Sequence, residues 1–212
     1  MELQTLDWLP SAEALAMRAR SAAVVDALLA DDPELRQFTF KPEWKDGISL
    51  GVRHEGDGWY VHLLRSGSTA AVKVSMAQAS VAPDALARFA KNPPVPVPEL
   101  AMRLLRDGDL RPHELSFLAW CADGTTWQAL SFHVEGKVSL DLGRARLGVL
   151  EHGAKGYYVY AKAYHEQTID PASLKAVFGG SAMTLALAQT INPSVDLSAV
   201  MADIKATGHP VE

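Results

Sequence analysis

Residues 47–76 hold two tight turns that agree on one strand register, and that register constrains the fold more than any other stretch of the chain. Gly56-Asp57 reads as a two-residue hairpin loop, because glycine supplies the positive φ such loops need and aspartate tolerates it. Side chains alternate along a strand and hairpin partners point the same way. Ile48, Leu50 and Val52 therefore share a face with Trp59, Val61 and Leu63, and Val52 pairs with Val61. Ser66-Gly67, taken as a second two-residue loop, brings Ala70, Val72, Val74 and Met76 to the same face and pairs Val61 with Val72. A one-residue slip at either turn would bury Arg53 or Lys73. The opposite face carries Ser49, Gly51, Arg53, Tyr60, His62, Leu64, Ala71 and Lys73, a mixed set that predicts only half cover.

On either side of this meander the pattern is helical. Ser11 is placed to cap a helix over 12–30, where Leu15, Ala19, Ala22, Val25 and Leu29 recur at helical spacing. A short strand over 35–40 is confined to an edge, or ended, by Pro42. Pro83 opens a helix over 83–90, the proline-rich 92–98 reads as a rigid linker, and helices over 99–106 and 112–121 follow. Period two then returns, with Leu130, Phe132 and Val134 facing Val138, Leu140 and Leu142 across the loop Glu135-Gly136-Lys137. Helices over 181–191 and 197–206 complete the chain.

The second half echoes the first. Leu147-Gly148-Val149, Gly153, Gly156 and Tyr157-Tyr158-Val159 follow the order of Leu50-Gly51-Val52, Gly56, Gly58 and Trp59-Tyr60-Val61. Downstream, Ile169-Asp170-Pro171 matches Val81-Ala82-Pro83 as the start of a helix. The expectation is an α+β fold of antiparallel β-meanders with helices packed on one face, built by internal duplication of a β-β-α unit. Its divisions are an N-terminal helix in 1–35, a first α+β unit in 36–125 and a second in 126–212, together one compact domain with pseudo-twofold repeats.

Composition narrows the function classes. A chain of 212 residues can bury a core without disulfides or structural metal. Cys121 is the only cysteine, so an internal disulfide and a cysteine-based zinc site are both excluded. The absence of a leader-like segment and of a long apolar run predicts a cytoplasmic protein with no membrane partner. The formal charge of −5, without a basic stripe, argues against nucleic acid. Acids in turns, including Glu55 and Asp57, would steer a basic protein partner. No phosphate-binding loop, dinucleotide fingerprint, HExxH, EF-hand or nucleophile elbow is present, so neither a catalytic residue nor a cofactor is assigned. His54 with Glu55 and Glu151 with His152 occupy equivalent turns of the two units, but pairs at hairpin ends are ordinarily solvated, and no metal site is assigned.

The candidate site is a comb of aromatics. If 157–164 is a strand, Tyr158, Tyr160 and Tyr164 share its outward face with Tyr60 and His62, and the acids of the turns ring them. Tyrosine offers a large rigid contact area with a polar tip. This predicts a non-catalytic cytoplasmic module that binds another protein, of the kind that neutralises a toxin or escorts a secreted effector. Two alternatives stand beside it. One is a carrier of a small apolar ligand in a cleft lined by Tyr158, Tyr160 and Met183. The other is an enzyme in which His54, His62 or His152 meets a carboxylate.

Overall fold

The structure, a computed structural model, describes residues 2–30, 32–44, 47–52, 59–76, 80–93, 96–107, 114–134 and 136–212, with the side chains of 41–52, 59 and 83 outside the description. Its elements run β1 (Glu2–Leu6), α1 (Ala12–Leu29), β2 (Phe38–Trp44), β3 (Gly47–Val52), β4 (Trp59–Ser66), β5 (Thr69–Met76), α2 (Pro83–Lys91) and α3 (Glu99–Arg106). Then come β6 (Phe117–Cys121), β7 (Trp127–Ser131), β8 (His133–Val134), β9 (Lys137–Val138), α4 (Ser139–His152), α5 (Ala154–Tyr164), α6 (Pro171–Phe178), α7 (Leu185–Ile191) and α8 (Leu197–Ala206). The fold is α+β. A five-stranded antiparallel sheet has the order β1-β7-β6-β5-β4, and β2 pairs with β3, which runs beside β4.

In the β4–β5 hairpin Val61 lies opposite Val74 and Leu63 opposite Val72, not Val61 opposite Val72. The loop is Gly67-Ser68, so glycine takes the first loop position, with φ +58°. A displacement of two residues preserves the faces, so Val61, Leu63, Val72 and Val74 still point together into the core. The other turn, Gly56-Asp57, lies outside the described residues together with Glu55, Asp57 and His54. Over β4 and β5 the mixed face is more covered than expected: His62, Leu64, Ala71, Lys73 and Ser75 are buried and Tyr60 is half-buried.

Two segments read as helix and strand exchange roles. Phe117–Cys121, expected at the end of a helix, is strand β6 at the centre of the sheet. All five of its residues are buried, and a short apolar run is equally compatible with a helix or with a strand covered on both faces. Cys121 is buried there, its thiol donating to Asp123 Oδ1 at 3.3 Å. In the second half, 139–164 forms helices α4 and α5 instead of strands. Helices thus stand where the second unit's strands were expected, and the structure does not show the expected duplication. Ser139 makes the switch from hairpin to helix. Its hydroxyl donates to Leu130 O at 2.9 Å and accepts from Phe132 N–H at 3.1 Å, which ends the β8–β9 pairing and turns Leu140 and Leu142 into α4.

Helix α1, capped by Ser11, is the hub. Its alanines let neighbours approach closely, and it packs on β2, α4, α6, α7 and α8. Strand β1, unforeseen from the sequence, pairs with β7 from Glu2↔Ser131 to Leu6↔Trp127. Trp127 Nε1 donates to Pro10 O at 2.7 Å and Ala12 N–H to Gly124 O at 3.1 Å, fixing where α1 leaves the sheet. Gly143 sets the seat of α4, because a Cβ there would overlap the Phe117 ring.

Candidate binding groove on α4 and α5

The segment Tyr157-Tyr158-Val159-Tyr160-Ala161-Lys162-Ala163-Tyr164 fits two periods at once. Positions 158, 160 and 164 alternate like a strand, while 157, 160, 161 and 164 follow i, i+3, i+4, i+7. The helical set is the one the fold uses. Tyr157 and Ala161 are wholly buried, and Tyr160 and Tyr164 lie beside them. The tyrosines therefore do not share a sheet face with Tyr60 and His62, which stack on one another on β4 at 6.4 Å between ring centroids, His62 being buried. Met183 is buried as well and is not among the residues that line the groove with Tyr160.

What holds α5 in place is Asp26, at 0% exposure in the last turn of α1. Its Oδ1 accepts the Tyr157 hydroxyl at 2.8 Å and lies 2.9 Å from His165 Nε2. Its Oδ2 accepts the backbone N–H groups of Gln37 at 2.5 Å and Phe38 at 2.9 Å. One carboxylate thus joins α1, the start of β2 and both ends of α5, and a buried charge is tolerated because every lone pair is engaged. Aromatic rings pack around it. Phe38 meets Tyr160 edge-on at 5.1 Å, and Tyr160 stacks on Tyr164 at 5.4 Å. Burial, followed by the charge of Asp26, pushes the Tyr157 and Tyr160 hydroxyls far above the ordinary tyrosine range, so both remain neutral. Tyr164 Oη accepts from Gln37 Nε2 at 2.5 Å, whereas the buried Tyr160 Oη and Gln37 Oε1 have no hydrogen-bond partner among the described residues.

The outer side of α5 is different. Gly148, Val149 and His152 of α4 and Lys155, Gly156, Val159, Tyr160 and Ala163 of α5 line an open, mostly apolar groove of about 390 Å³. Val159 stands at its edge with 63% of its surface exposed. Two glycines make the groove. At Gly156 a Cβ would press against the Gly148 and Val149 carbonyls and His152, so its absence lets the helices close together. At Gly148 a Cβ would meet nothing within 4 Å, so its absence leaves the floor open. The helix junction is fixed from α1, where Arg18 Nη1 donates to Leu150 O at 2.9 Å and to Glu151 O at 2.6 Å, capping the end of α4. Glu151 itself pairs with Arg144 at 2.8 Å.

Of the residues expected in the site, Tyr160 lines the groove, Tyr158 and Tyr164 are half-buried on the same helix, and Tyr60 and His62 belong to β4. Asp26, Gly148 and Val159 escaped the sequence reading. An acid in the last turn of an apolar helix, where a cation is the expected charge, was the available signal for Asp26. Among the described residues no group of three His, Cys, Asp or Glu side chains is arranged to hold a metal ion, and no helix is long and apolar enough to cross a membrane. No protein-family model, curated protein or solved structure matches the chain.

Proposed function

We propose that this chain is a non-catalytic cytoplasmic protein that binds another protein through the α4–α5 groove, in the manner of intracellular proteins that neutralise a toxin or escort an effector. The observation that carries this reading is the groove itself: an apolar trough between two helices, held open by Gly148 and edged by the exposed Val159. Isolated exposed apolar residues are ordinary, whereas an apolar trough with an accessible floor offers a partner side chain a site from which water is readily displaced. Of the acids nearby, Asp26 is committed to four donors and Glu151 to Arg144. The single cysteine, buried in β6, suits a reducing compartment. A groove of about 390 Å³ also falls within the range of small-molecule sites, which favours a small apolar ligand as the second reading.

The test is affinity capture from the source cells with the wild-type chain and with Val159→Asp, each capture analysed for proteins and for extracted small molecules. A protein held by the wild type and lost with Val159→Asp, at unchanged melting temperature, supports the reading. An organic ligand extracted from the wild type alone supports the second. Captures identical for the two chains sink both.

A further inference from the structure

We infer that the occupant of the groove is an acidic amphipathic helix of a partner protein, presenting two apolar side chains one turn apart with carboxylates beside them. The inference rests on the protein-binding reading and adds the chemistry of the partner. Its basis is charge complementarity in a chain whose overall balance is −5. The rim of the groove departs from that balance. Lys155 lines it, and Lys162 is exposed two turns further along the same side of α5. Among the described residues neither lysine has an ion-pair partner, and the nearest acid on α4, Glu151, is tied to Arg144 at 2.8 Å. The first turn of α5 contains no acidic residue to offset Lys155. An apolar trough with lysines along its α5 side disfavours a basic segment and attracts an acidic one.

Shape argues for a helix. From Lys155 to Ala163 the lined side of α5 extends about 12 Å, enough for two anchors at i and i+4 of an apposed helix. Small residues at Gly148, Gly156 and Ala163 allow the close approach that helix-on-helix packing needs. The steering of a basic partner that the acidic turns suggest is a separate matter, since Glu55 and Asp57 lie outside the described residues.

A library of helical peptides displayed on phage, with two leucines at i and i+4 and randomised flanking positions, is selected on the full chain. Binders are counter-screened against Gly148→Leu, which fills the floor of the groove, and against the double variant Lys155→Glu/Lys162→Glu. The expected result is enrichment of Asp and Glu beside the leucines, loss of binding to Gly148→Leu, and at least about tenfold weaker binding to the double variant. Thermal unfolding and circular dichroism of both variants verify that the fold is retained. Groove-dependent peptides with basic or charge-indifferent flanks would overturn the acidic partner while leaving the groove as a protein site. Selections that yield no peptide sensitive to Gly148→Leu would overturn both.

Discussion

Asp26 Oδ1 and His165 Nε2 are separated by 139 residues of chain and by 2.9 Å in space. Tyr157 shares the same oxygen, so the carboxylate binds both ends of α5 to the central helix, while the second oxygen holds the start of β2. The groove owes its shape to this buried clamp, since Tyr160 sits between the two with its ring on the groove and its hydroxyl inside.

Removing the clamp should therefore cost more than any single hydrogen bond. Asp26→Ala leaves two backbone N–H groups, Tyr157 and His165 without their acceptor, and is expected to destabilise the fold by about 3 to 5 kcal/mol. Tyr157→Phe removes one bond and should cost about 1 to 2 kcal/mol. Urea denaturation followed by tryptophan fluorescence measures both. Equal losses for the two variants would show that Asp26 is not the shared acceptor.

Tyr160→Phe has the opposite expected sign. Its hydroxyl is buried without a partner among the described residues, and an unsatisfied buried hydroxyl costs about 1 to 3 kcal/mol. The phenylalanine variant should be more stable than the wild type by about 1 kcal/mol with the groove unchanged in shape. A lower unfolding midpoint would mean that the hydroxyl is hydrogen-bonded in solution.

Two glycines of the same helix should respond differently to alanine. Gly143→Ala forces a methyl group into the Phe117 ring and should cost about 1 to 3 kcal/mol by overpacking. Gly148→Ala meets open space and should gain about 0.5 to 1 kcal/mol from helix propensity. Comparing thermal unfolding of the two variants checks the seating of α4 on β6.

Stability should depend on His209 in a defined pH window. The ring is buried, with Nε2 at 3.0 Å from Ser181 O. Burial lowers its pKa below the ordinary 6.5, Arg20 adding to the effect while the Ser181 carbonyl opposes it. A base with a lowered folded pKa leaves the unfolded chain holding more protons, so stability falls as pH drops through about 6.5 and the loss levels off once the folded ring protonates. The cap carboxylates Asp170 and Asp196, whose pKa values are lowered from 3.8, act only at lower pH. Chemical denaturation between pH 7.5 and about 5 should show a shallower decline for His209→Gln than for the wild type. Parallel profiles would exclude the residue.

Local chemistry determined those elements whose start and core stripe agree. Ser11 ahead of a helical repeat, Pro83 at a first turn and the run over 197–206 were legible because caps and periodicity act within one turn of chain. The apolar face of β4 and β5 was legible too, since alternation survives a displacement of two residues. Tertiary structure alone decided the rest. Phe117–Cys121 became a strand because β5 and β7 stood ready to pair on either side, and a five-residue apolar run carries no period of its own. Residues 157–164 satisfy both strand and helix spacing, and only Asp26, supplied by α1 from more than a hundred residues away, rewards the helical choice through Tyr157 and His165. The groove was illegible for the same reason. It is a space between two helices, and its floor is the absence of side chains at Gly148 and Gly156, which the sequence reading put in a strand and at a turn before packing placed them inside helices.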